Sequence, residues 1–248
     1  NWSIDYGIID GSPDEPDVWL KLEEVLARDF QHGSGHFMNI SIMAIDTGGR
    51  NTQSVYQWCL KQRDVNYGRK GASVWGTGFV MPIKGRDLPD TMVPAPNRIE
   101  VNGVKNALRL WTVGVSAIKR EVYSALKVES PTDGNDFKPR TCHFSNAYDE
   151  EYFKQLTSEK QMIQNTKTGG IKIAWVKDPS VRNEALDTYV YARAAAHIMG
   201  LDNPSKNWRS FENKLKVEEV NPKLLPTKKS ADSTAEILKK YQKNQSLV

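Results

Sequence analysis

The chain has 248 residues, 39% of them hydrophobic and 26% charged, the make-up of a globular protein of one large domain or two small ones. No run approaches the roughly 20 apolar residues needed to span a bilayer, and two cysteines, Cys59 and Cys142, exclude both a disulfide framework and a zinc spacing. The net charge of +4 lies beyond residue 200, where ten basic residues face six acidic ones, and such a tail suits an acidic partner such as nucleic acid.

The chain starts at Asn1 without Met, and residues 2–9 read as a strand with no partner before them. We therefore expect a fragment of a longer polypeptide. Residues 10–13 form a turn. A helix is expected over 16–30, with Pro16 in its first turn and Val18, Trp19, Leu22, Val25 and Leu26 on one face. After a glycine-rich loop, a β-rich run at 39–46 ends in Asp46, followed by Thr47, Gly48 and Gly49. Residues 52–61 are helix-like and 65–69 suit a short strand. The Gly- and Pro-bearing residues 76–97 read as an irregular loop. Strands are expected at 98–101 and 107–111 around an Asn102-Gly103 turn.

Ser116 opens a helix through 126. Residues 127–140 read as a loop and 149–156 as a helix. A hairpin joins 161–165 to 171–177 across Gly169 and Gly170. The last strong helix spans 183–199 and stops at Gly200. Residues 235–243 suit a short amphipathic helix. Strands flanked by helices predict an α/β or α+β sheet with helices packed on it. Residues 1–200 form the body and 201–248 a basic tail.

Two acids stand out. Asp46 closes a strand where ligands gather in open α/β sheets. Asp187 lies in line with Val190, Ala194 and Ile198 on an apolar helix, where a carboxylate is costly unless it is paired, protonated or bound to a cation. Capped turns and rim ion pairs explain such acids equally well. Converging carboxylates can also hold Mg²⁺ or Mn²⁺ for phosphodiester cleavage. Two acids are few for two ions; a third is expected, none is as well placed, and Asp5 within the first strand is a candidate. There is no GxxxxGK[ST] phosphate loop and no GxSxG elbow. The four histidines, His32, His36, His143 and His197, are scattered.

Several segments in order carry a resemblance. They are IDYGII at 4–9, IDTGG at 45–49, KGASV at 70–74, Gly114 with Lys119, His143 with Phe144, QLTSE at 155–159 and RNEALD at 182–187. Together they resemble the C-terminal nuclease part of the lambda-type terminase large subunits, the DNA-packaging motors of tailed phages. The resemblance implies an RNase H-like mixed sheet with flanking helices and a two-metal endonuclease acting on concatemeric double-stranded DNA in the host cytoplasm. It makes Asp46 and Asp187 the metal-binding catalytic acids, with Mg²⁺ or Mn²⁺ as two ions. Lys119 matches a basic position of the family. Lys70, Lys84, Arg86 and Arg182 are candidates for phosphate contacts. The family's first acid lies on a strand upstream of residue 2, so the first strand is expected to be absent here. Ser116 stands where the family often has an acid. The implied partners are the small terminase subunit, the portal and an N-terminal ATPase domain. A non-catalytic DNA-binding or portal-docking module and another RNase H-like nuclease, such as a resolvase, are the alternatives.

Overall fold

The computed structural model describes residues 1–33, 35–63, 80–128, 140–166, 169–203, 205 and 208. The expected strand at 65–69, the segment at 70–74 with Lys70, and the helix at 235–243 lie outside them, as does most of the loop at 127–140. The chain divides into two units, Asn1–Asp29 with Asn39–Lys206, and Phe30–Met38 with Asn207–Val248. A small ribbon forms from β1 (Asp29–Gln31) and β2 (Phe37–Asn39), closed by His32 N–H donating to His36 O at 2.8 Å.

The first unit is a four-stranded mixed sheet flanked by helices. Its strands are β3 (Met43–Asp46), β4 (Val80–Arg86), β5 (Asn97–Val101) and β6 (Val104–Gly114), in the order β3-β4-β6-β5. β3 and β6 both run parallel to β4, and β5 runs antiparallel to β6. The expected mixed α/β architecture is present and agrees with an RNase H-like sheet. Asn102 and Gly103 hold φ values of 52° and 77°, the left-handed pair that a tight β-hairpin turn demands.

Alternation along the strands sorts two cores. On one face Met81, Ile83, Trp111 and Val113 pack under α3 (Val115–Leu126), α4 (Glu150–Leu156) and α5 (Glu184–Ile198). On the other, Val80, Val101 and Leu108 meet Leu26 of α1 (Pro16–Leu26) and Val55, Trp58 and Cys59 of α2 (Thr52–Gln62). Pro16 starts α1 as expected, but the helix stops at Leu26, with Ala27 capping it, rather than reaching residue 30. α4 begins behind Asp149, whose carboxylate accepts from Tyr152 N–H at 2.8 Å. A separate ribbon, β7 (Glu159–Asn165) against β8 (Ile171–Lys177), forms the expected hairpin.

Two expectations fail. Residues 76–97 contain β4, the strand between β3 and β6. Its buried run Val80, Met81, Pro82, Ile83 has the continuous apolar character of an inner parallel strand, and Pro82 and Gly85 disguise it as loop. Residues 2–9 do not form a strand. Only Trp2 bridges, in parallel, to His143, while Ile4 and Ile8 are exposed. Scattered apolar residues without a ladder partner do not make a strand.

Candidate functional site

Asp46 ends β3 at the carboxyl edge of the parallel strands, and three local devices fix it there. Thr47, fully buried, donates from both its N–H and its hydroxyl to Ile83 O at 2.9 Å, pinning the strand end to β4. Gly48 N–H donates to Asp46 Oδ1 at 2.9 Å, and a side chain at 48 would crowd that carboxylate at 3.2 Å. Thr52 donates back to Thr47 O at 2.8 Å and starts α2. The carboxylate itself is exposed, on the same face of the sheet as Ala44 and α5.

Asp187 arrives from above, in the first turn of α5. Val190, Ala194 and Ile198 below it are buried, as the spacing predicts. Burial raises its pKa. The Lys119 ammonium opposes the rise, while the charges of Glu159, Asp46 and Glu184 reinforce it. Asp46 and Asp187 therefore share one electrostatic site. Tyr191, one turn further along α5, links them. Burial first, then the charges of Asp46 and Asp187, keep its phenol protonated, far above its ordinary range. Gly85 of β4 makes room for this hydroxyl, since a Cβ there would stand 2.9 Å from it.

Behind Asp187 lies a buried network. Lys119 Nζ donates to Glu159 Oε1 at 2.8 Å and stands 3.7 Å from Asp187 Oδ1. Asn183 Nδ2 donates to Glu159 Oε1 and to Asp187 Oδ2, both at 3.0 Å. Lys119 and Glu159 are only 6% and 7% exposed. Glu159 is the functional residue that sequence reasoning misses. Its segment belongs to the resemblance, but a lone Glu after a helix signals nothing until the lysine forty residues earlier is placed beside it.

The remaining candidates scatter. Asp5 pairs on the surface with Arg28 at 2.9 Å. Lys84 and Arg86 sit near the carboxyl end of β4 but alternate onto the face opposite Asp46. Arg182 is exposed just before α5 and pairs with Glu184 at 3.1 Å. Ser116 donates to Asp87. Lys70 lies outside the described residues. Among the described residues no group of three or more His, Cys, Asp and Glu stands together as a ready metal cage. The Asp46–Asp187 pair nevertheless fits a hard divalent ion, because it offers oxygen donors and concentrated negative charge. Mg²⁺ characteristically takes one or two carboxylates, keeping water and substrate phosphate for the rest.

A family model described as terminase large subunit gpA, endonuclease domain, matches residues 1–208. The terminase large subunit of Escherichia phage lambda is 30% identical over 201 residues, covering 80% of this chain and 28% of the relative. That of Enterobacteria phage P21 is 27% identical over 200 residues, covering 79% and 28%. The chain thus spans less than a third of the length of either relative. No solved structure matches.

Proposed function

The chain belongs to the terminase large subunit gpA endonuclease family, and from that premise we propose that it is a metal-dependent endonuclease cutting double-stranded, concatemeric phage DNA during packaging in the host cytoplasm. The observation that supports this reading is that Asp46, at the carboxyl edge of the sheet, and Asp187 lie within electrostatic reach of one another, with Tyr191 feeling both. Asp46 and Asp187 would hold Mg²⁺ or Mn²⁺. When bound, such ions polarise the scissile phosphate and lower the pKa of the attacking water. A two-ion arrangement needs a further acid, which the resemblance puts on an upstream strand, because Glu159 is committed to Lys119 and Asn183.

The chain's own residues do the positioning. The Thr47 pin and the Gly48 N–H fix the Asp46 carboxylate, and Tyr191 keeps a neutral phenol within its electrostatic reach. Asn183 and Lys119 orient Asp187 from behind. Arg182, exposed beside the site, and Lys70 are proposed phosphate contacts, which would give DNA affinity a steep salt dependence, whereas Lys84 and Arg86 alternate onto the face opposite Asp46. Residues 1–200 are the proposed nuclease body and 201–248 a basic tail. The ATPase domain, the small subunit and the portal are the proposed partners.

A non-catalytic DNA-binding or portal-docking module is the second reading, favoured by the basic tail and by an acid pair without a third member among the described residues. Titration calorimetry with Mn²⁺ separates the two. The nuclease reading expects binding that Asp187→Asn weakens at least tenfold. A docking module binds DNA and ignores both the ion and the substitution.

A further inference from the structure

The β7–β8 ribbon starts at the site and leaves it. Its root is Glu159, which holds Lys119 and faces Lys177 across the ladder. Two contacts fasten that root to α3: Glu159 N–H donates to the Tyr123 hydroxyl at 3.1 Å, and Trp175 lies 4.9 Å from the Tyr123 ring. Beyond it the ribbon is a separate two-stranded sheet. An isolated ribbon of this kind is marginal in water without something to pack against.

Alternation places Glu159, Gln161 and Ile163 of β7 on one face with Trp175, Ile173 and Ile171 of β8. Ile163 and Ile173 are direct cross-strand partners, 72% and 66% exposed, and Ile171 beside them is 73% exposed. The apolar patch therefore continues the face that begins at the site. Charge says what meets it. From residue 160 to 177 the sequence holds four lysines and no acid. Lys160 and Lys172 alternate onto the other face, where their flexible stems can reach around the ribbon. An apolar ridge backed by ammonium groups on flexible stems complements a groove floored by base edges and walled by phosphates.

We propose that the β7–β8 ribbon lies along the substrate duplex and that Ile163, Ile173 and Ile171 enter its minor groove. Apolar side chains of this type wedge into minor grooves and unstack base steps. Four residues separate Ile163 from Glu159, which at about 3.3 Å per residue is roughly 13 Å. On duplex DNA at about 3.4 Å per base pair, that is a reach of about four base pairs from the ribbon's root. The proposal rests on the nuclease reading for its substrate and adds how that substrate is gripped.

The test uses the chain, Ile163→Ser/Ile173→Ser, and Lys160→Ala/Lys172→Ala. Each is titrated into a short A·T-rich duplex carrying a minor-groove dye, and each is assayed for plasmid nicking in Mn²⁺. The substituted side chains are exposed, so unchanged melting is expected and is checked first. The proposal expects the parent to displace the dye. The isoleucine pair should lose at least tenfold in displacement, with the salt slope unchanged. The lysine pair should lower the salt slope by about two, one for each phosphate no longer neutralised. DNA binding by the parent that leaves the dye in place would overturn the proposal. So would an isoleucine variant equal to the parent in displacement, or one that changes only self-association. Dye displacement with no nicking by the parent, either alone or extended upstream, would defeat the nuclease reading while keeping the ribbon contact. Nicking by the parent with the isoleucine variant unchanged in both assays would do the reverse.

Discussion

Lys119 and Glu159, forty residues apart in sequence, meet at 2.8 Å with both side chains less than a tenth exposed. This buried pair forms the floor under Asp187 and the root of the β7–β8 ribbon. Replacing Glu159 with Leu leaves the lysine with Asp187 as its nearest anion, at 3.7 Å. Breaking one side of a buried pair is costly, so urea unfolding should show a loss of about 3 kcal/mol. The double substitution Lys119→Met/Glu159→Leu should recover most of it. Additive losses would mean that the pair is not coupled.

Burial and the carboxylates of Asp46 and Asp187 keep Tyr191 a neutral phenol beside Asp46. Tyr191→Phe keeps the ring and removes only the hydroxyl. Mn²⁺ affinity by calorimetry should fall about tenfold, the usual effect of removing a group that orients a metal ligand. Melting should move little. Unchanged Mn²⁺ affinity would reduce Tyr191 to packing.

Asp187 has a folded pKa above its ordinary 3.8 because of burial. Between the unfolded and folded values the native state holds a proton that the unfolded chain has lost. Stability therefore falls as pH rises through that window and stays lower above it. Asp187→Asn removes this effect, so its melting temperature should exceed the parent's at pH 7 and match it below about pH 4. Added Mn²⁺ should reverse the order at pH 7 by stabilising only the parent.

Gly114 ends β6 where a Cβ would run into Thr91 O, while its own N–H donates to Met92 O at 2.7 Å. Gly114→Ala should cost about 3 kcal/mol in chemical unfolding through overpacking against backbone. Gly49, with nothing within 4 Å of the place a Cβ would take, is the matched control and should tolerate Ala.

Legibility in the sequence follows how local each signal is. α5 is readable because Val190, Ala194 and Ile198 repeat at helical spacing, and they are buried as expected. The β5–β6 hairpin is readable from Asn102-Gly103, since a turn needing left-handed backbone selects those residues. β4 is not, because an inner parallel strand lacks alternation and this one carries Pro82 and Gly85. Asp46 and Asp187 are visible as acids out of place, each against its own element. Glu159 and Tyr191 are not, because what marks them is a partner on another element. Lys119 is marked by the resemblance alone, and the structure gives it a buried ion-paired setting that the sequence does not announce.

The most direct measurement is nicking of supercoiled plasmid in Mn²⁺ by the chain, alone and extended upstream, beside Asp46→Asn and Asp187→Asn in each form. The account predicts that a parent form cleaves and that both substitutions lower its rate at least a hundredfold, as expected when a metal ligand is lost. No cleavage by either parent form, or equal cleavage by parent and variants, would contradict it.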